Sequence, residues 1–163
     1  MKKPITTIIF VLLSILLGGC SADCDHTQER PAGQSDVIAL ACDPIPVVRV
    51  GFIGLGMRGI GAVERFMYLD SVEVVALCDL EAENLARSQA VLREKAKPEA
   101  AEYMGPEGWK RLCERPDIDL VYISTDWLSH TPMAVYAMEQ GKHVAVEVPA
   151  AVTVEECWKL VDT

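Results

Sequence analysis

Three glycines and one acid carry the most chemistry in this chain. Gly54, Gly56 and Gly59 stand in the spacing G-x-G-x-x-G within VVRVGFIGLGMRG, residues 47–59, and Asp79 closes the run VEVVALCD twenty residues further on. Each position has a physical task. Glycine at 54 permits a tight turn, and glycine at 56 lets backbone approach a pyrophosphate with no side chain in the way. Glycine at 59 lets the helix that follows pack closely on a sheet. The free N–H groups at the start of that helix face an anion. Asp79 can accept hydrogen bonds from a ribose 2′-hydroxyl and would repel a 2′-phosphate, so the pattern favours NAD over NADP. Arg58 complicates that choice, because a basic residue in the turn can also touch a phosphate.

These residues need strands and helices in fixed order to meet. Apolar runs predict strands at Val48–Ile53, Val72–Cys78, Leu120–Ser124 and His143–Val148, with a short one near Tyr103. Helical patterns cover Arg58–Leu69, Glu81–Lys95, Glu107–Glu114, Thr131–Gln140 and Val154–Val161. Gly141 is a helix stop, and Thr153 with Glu156 has capping-box spacing. Continuous apolar strands such as VVALC and LVYI suit a parallel sheet covered on both faces. The predicted fold class is therefore α/β, a Rossmann-type doubly wound parallel sheet over residues 47–163. Ligands of such sheets bind at the carboxyl ends of the strands.

The beginning of the chain reads as targeting. Lys2 and Lys3 precede an apolar run from Ile5 to Leu17 that ends in Leu17-Gly18-Gly19-Cys20. Residues 1–19 are expected to be a lipoprotein signal peptide and Cys20 the lipidated residue; the alternative is an ordinary signal peptide with an incidental cysteine. Residues 20–46 hold Pro31, Pro44 and Pro46 without sustained periodicity and read as a tether. This places the protein at a bacterial cell envelope, held to the membrane through the lipid. Loss of Lys2 and Lys3 takes the formal charge from −9 to −11. So acidic a surface argues against nucleic acid as a partner. The mean hydropathy of +0.19 is partly the leader segment. No cysteine pair has CxxC spacing, so no zinc site is expected. Cys78, Cys113 and Cys157 read as buried thiols, and Cys24 with Cys42 as a potential disulfide in an oxidising compartment.

Longer segments carry a resemblance. VRVGFIGLGMRG, VEVVALCD, the stretch from GPEGWKRL through STDWLSHTP to HVAVEVPAA, and TVEECWKLVDT together resemble the N-terminal domain of the Gfo/Idh/MocA oxidoreductase family. Within it the chain is most similar to glycoside hydrolase family 109, the NAD-dependent α-N-acetylgalactosaminidases. TDWLSH and EVPAA are the most specific of these signatures. The resemblance implies that Met57 and Arg58 contact NAD and that Asp79 holds the adenosine ribose. It further implies that Trp127, Leu128, Ser129 and His130, in a loop after the fourth strand, reach toward the nicotinamide, and that Glu147 and Val148 add another cofactor contact. The alternatives are that Trp127 caps an apolar loop, that His130 caps the helix starting near Thr131, and that Glu147 is paired for structure. Trp109 and Trp158 read as core or interface.

Sugar dehydrogenases of the wider family carry a lysine in an EKP motif where this chain has Glu147-Val148-Pro149. Valine can neither donate nor accept a proton, which favours the glycosidase lineage. The reaction implied there cleaves α-N-acetylgalactosaminides by transient oxidation at carbon 3, elimination and re-reduction. The family's sugar-binding and acid–base residues belong to a C-terminal α/β domain, expected beyond Thr163, so catalytic residues stay unassigned and a truncated chain is expected. A glycan is then a substrate only if that domain exists. A secreted sugar or polyol NAD-dependent oxidoreductase and an inactive cofactor-binding fragment remain as alternatives.

Overall fold

The computed structural model describes residues 41–163 of the chain; the leader, Cys20 and Cys24 lie outside the described residues. Residues 41–47 carry no regular structure, and a regular α/β alternation follows. The strands are β1 (Val48–Ile53), β2 (Val72–Asp79), β3 (Ala101–Met104), β4 (Leu120–Ile123) and β5 (His143–Val146). The helices are α1 (Met57–Phe66), α2 (Ala82–Glu94), α3 (Gly108–Cys113), α4 (Trp127–Glu139) and α5 (Val154–Asp162).

All five strands pair in parallel in the order β3-β2-β1-β4-β5. The chain therefore winds outward from β1 in one direction, returns, and winds outward in the other. That reversal puts the switch point between β1 and β4, where open α/β sheets form their crevice. Side chains alternate across the pleat, so the sheet builds two cores. Val50, Phe52, Val74 and Leu77 pack with Ala62 and Val63 of α1 and Leu85 and Leu92 of α2. Ile53, Ala76, Val121 and Ile123 pack with Leu112 of α3 and Ala134 and Ala137 of α4. A register shift between Val50 and Gly51 skips one residue of β2. Phe52, Phe66 and Tyr122 form an aromatic cluster with ring centroids 5.1–5.7 Å apart, mostly edge to face.

At the amino ends of the central strands β1 and β4 the sheet is tied by charge. Asp119 takes a bidentate pair from the Arg49 side chain, at 2.9 and 3.0 Å, and a third bond from the Arg49 amide at 2.9 Å. Those bonds hold its carboxyl below the usual carboxylate range.

Most boundaries match the sequence expectation within one to three residues. Gly141 does end α4, with φ +74°, and the Thr153 hydroxyl accepts from the Glu156 amide at 3.1 Å. Cys78 and Cys113 are buried as expected, and burial pushes both thiols up to about 12. Cys157 is a correction: it is exposed, because α5 buries none of its residues.

Candidate functional site

The carboxyl ends of β1, β2 and β4 open onto a cleft of about 520 Å³. Its floor is the turn between β1 and α1. Gly54 takes φ +85°, donates its N–H to the Cys78 carbonyl at 2.9 Å and accepts the Ser124 hydroxyl at 2.8 Å. The turn is thus bolted to both neighbouring strands. The Cβ of any other residue at 54 would stand 2.6 Å from the Ser124 carbonyl oxygen.

Gly59 and Gly56 differ in kind. A Cβ on Gly59 would lie 1.9 Å from the Gly54 carbonyl oxygen and 2.8 Å from the Ser124 hydroxyl. Its closest approach is therefore to the turn, where the sequence suggests the sheet. A Cβ on Gly56 would meet nothing within 4 Å, and Gly56 lines the cleft. Gly56 is also the N-cap of α1, with no side-chain cap and no acid in the first turn. Backbone N–H groups at this helix start are left for an anion, and the space beside Gly56 is the room that anion needs.

Asp79 sits at the rim between turn and α2. Its Oδ2 accepts the Leu55 amide at 2.6 Å, and its Oδ1 accepts the Glu81 amide at 2.9 Å and the Asn84 side chain at 3.0 Å. A carboxylate offers about four acceptor directions, so three bonds leave one for a ligand hydroxyl. Leu80, exposed beside it, also lines the cleft.

The second wall corrects the sequence reading. Residues Trp127–His130 are not a loop; they form the first turn of α4, which starts four residues before the expected Thr131. The cap is Asp126, whose Oδ1 accepts the Leu128 and Ser129 amides at 3.0 and 3.2 Å while its Oδ2 accepts the Ser129 hydroxyl at 2.6 Å. Those bonds, the hydroxyl first, hold the Asp126 carboxyl below its usual range. Pro132 falls in the second turn of this helix, although proline disfavours a helix interior.

His130 is a second correction. It does not cap α4, whose cap is Asp126: it is 1% exposed, and its Nδ1 lies 2.8 Å from the Pro149 carbonyl oxygen. Thr131 beside it donates to the Ala150 carbonyl at 2.9 Å. Glu147 accepts the Tyr122 hydroxyl at 2.7 Å. That bond holds the Glu147 carboxyl below its usual range, with the charges of Arg58 and Arg65 adding and burial opposing. Val148, which follows, is 81% exposed, and the Val148–Pro149 peptide is cis.

Of the residues singled out in the sequence, Gly54, Gly56, Asp79 and Ser129 line the cleft. Met57, Arg58, Trp127, Leu128 and Val148 are exposed and do not line it. Sequence reasoning missed Leu80, Asn84, Thr125, Asp126 and Met133 as lining residues. Leu80, Thr125 and Asp126 stand just beyond a strand's carboxyl end, which is the signal that could have found them. Trp109 is both things at once: it packs edge to face on Tyr136 at 5.1 Å and lines the cleft.

Comparison with known proteins agrees with this geometry. Residues 48–163 match the family model described as the Gfo/Idh/MocA oxidoreductase family, NAD-binding Rossmann fold. The chain is 60% identical over 134 residues to a Bacteroides fragilis protein named alpha-N-acetylgalactosaminidase, covering 82% of this chain and 32% of that one. It is 56% identical over 139 residues to a glycosyl hydrolase family 109 protein of Porphyromonas gingivalis, covering 85% and 30%. The chain thus spans about a third of the length of the curated relatives it matches. Among solved structures it resembles myo-inositol dehydrogenase from Lactobacillus casei, in complex with NAD(H) and myo-inositol. The TM-score is 0.60 and the identity 31%, over 71% of this chain and 32% of that one. Biliverdin reductase from Synechocystis, in complex with biliverdin and NADP+, gives a TM-score of 0.58 at 29% identity, over 69% and 33%. With the glycine turn, the open crevice at the switch point and the family match in agreement, this chain belongs to the Gfo/Idh/MocA oxidoreductase family, as its NAD-binding Rossmann domain.

Proposed function

We propose that this domain is the NAD-binding part of an NAD-dependent glycosidase acting on α-N-acetylgalactosaminides. The observation that carries the cofactor half is Gly56, an uncapped helix start beside empty space in a cleft whose other wall holds Asp79. The glycosidase half rests on the 60% identity to the Bacteroides fragilis enzyme and on Val148. Bound NAD supplies reversible hydride acceptance from a sugar carbon, so that the reaction has no net redox change. The chain's own residues bind and orient. The α1 amides hold the pyrophosphate, with Met57 and Arg58 beside it. Asp79 takes the adenosine ribose hydroxyl. Trp127, Leu128, Ser129, Glu147 and Val148 shape the nicotinamide end. Val148 offers no group for proton transfer, so this position does no acid–base work.

The test is hydrolysis of 4-nitrophenyl α-N-acetylgalactosaminide by the polypeptide isolated from its own host. Nitrophenol release that requires bound NAD, with no accumulation of NADH, is expected. Net NADH formation from a free sugar would instead favour a secreted sugar or polyol dehydrogenase.

Asp79→Ala should weaken NAD about tenfold, the size of one charge-assisted hydrogen bond, and weaken it more than NADP, which loses a repulsion. Titration of both cofactors measures it, and equal losses would sink the ribose assignment.

We further propose that the protein is lipid-anchored at the bacterial cell envelope through Cys20, with residues 1–19 removed; the Leu17-Gly18-Gly19-Cys20 run supports this. Two or more acyl chains anchor stably where one does not. Cys20→Ala should move the protein out of the membrane fraction or block its processing; an unchanged membrane fraction refutes the anchor.

A further inference from the structure

The segment after β5 is held at more points than its position at the rim of the sheet requires. The Glu147 amide donates to the Ile123 carbonyl at 2.9 Å, and its carboxylate accepts the Tyr122 hydroxyl at 2.7 Å. Two residues on, the Pro149 carbonyl faces His130 Nδ1 at 2.8 Å, and the next carbonyl, of Ala150, accepts the Thr131 hydroxyl at 2.9 Å. Between these anchors Val148 is 81% exposed. Its exposure is that of a residue presented between fixed points. The two anchors on the far side come from consecutive residues of α4, both almost wholly buried, His130 at 1% and Thr131 at 2% exposed.

Chemistry fixes the state of the imidazole. A carbonyl oxygen can only accept, so Nδ1 must carry the proton. His130 Nε2 is buried and has no hydrogen-bond partner among the described residues. Protonating it would leave a buried cationic N–H with no acceptor, which is far costlier than leaving a lone pair unmatched. We propose that His130 is a positioning residue, a neutral imidazole protonated on Nδ1 that fixes the Glu147–Ala150 segment through the Pro149 carbonyl and so presents the exposed Val148 from fixed points, as a contact for the nicotinamide outside the cleft lining. The part concerning the nicotinamide rests on the cofactor reading above; the tautomer and the anchoring do not.

Asparagine and leucine separate the roles. The Asn side-chain amide reaches the place of Nδ1 and can donate to Pro149, whereas Leu fills the space without a donor. Nitrogen-15 spectra of the full chain should show His130, identified by the signal lost in His130→Asn, with a pyrrole-type Nδ1 and a pyridine-type Nε2. Amide exchange at Val148 and Ala150 should quicken in His130→Leu and return in His130→Asn. NAD affinity should fall about tenfold in His130→Leu, the size of one lost hydrogen bond with its unpaired acceptor, and recover in His130→Asn. An Nε2-protonated ring, or unchanged exchange and affinity in His130→Leu, overturns the proposal. If His130→Leu does not fold, the tautomer and the behaviour of His130→Asn decide. If the wild-type chain binds no NAD, the cofactor reading fails, while tautomer and exchange still test the anchoring.

Discussion

Gly59→Ala should lower the thermal unfolding midpoint by about 10 °C or abolish folding, the largest effect expected of any single methyl group here. The new Cβ would stand 1.9 Å from the Gly54 carbonyl oxygen, less than any carbon–oxygen contact allows. Neither partner can yield cheaply. The Gly54 carbonyl is bonded to the Ser124 hydroxyl and its N–H to the Cys78 carbonyl, so moving it pulls on β2 and β4 together. On the other side Ala62 and Val63, the next turn of α1, are fully buried in the core. Overpacking of this kind costs about 3 kcal/mol or more where backbone must shift. Circular dichroism melts of the two proteins measure it. An unchanged midpoint would mean that α1 can slide away from the turn without loss of packing.

Gly56→Val should do the reverse: leave the fold intact and lower NAD affinity more than about a hundredfold, close to 3 kcal/mol. Gly56 has φ −64° and ψ −161°, an extended conformation with no positive φ, and its Cβ would meet nothing within 4 Å. Packing therefore gives no reason for glycine, and the N-cap preference for glycine over valine is worth only about 1 kcal/mol. The reason proposed here is the ligand, whose pyrophosphate would come against the backbone amides at the start of α1. Calorimetric titration with NAD, paired with a melt in its absence, separates the two glycines. If Gly56→Val binds NAD as the wild type does, the pyrophosphate lies elsewhere in the cleft.

This contrast shows what was legible in the sequence and what was not. The strand–turn–helix pattern, the parallel sheet and the placing of Gly54, Gly56 and Asp79 around one crevice follow from residue types at fixed local spacing, and spacing is visible in one dimension. The start of α4 was not legible in the same way. Asp126 and Pro132 send opposite local signals, and the balance is struck by three hydrogen bonds to one carboxylate that only the folded chain displays. The position of His130 was beyond reach altogether. Its partner is nineteen residues away, across a strand and a turn, and no periodicity records that contact. Trp109, at helical spacing, reads as core or interface, and it does pack. That it also faces the cleft depends on where β3 and α3 end in space.

The Asp126 cap of α4 has a consequence for how an asymmetric ligand is seated. Two helices point their amino ends at the same crevice, and each end carries a partial positive charge. With both open, a molecule with two different halves could settle in either of two directions. The Asp126 carboxylate already occupies the amides at the start of α4 and keeps its charge well below neutral pH. It repels an incoming phosphate at that end and leaves the α1 end as the attractive one. In the placement proposed above, adenosine toward Asp79 and nicotinamide toward β5, the Asp126 charge then favours one polarity of the dinucleotide over the other.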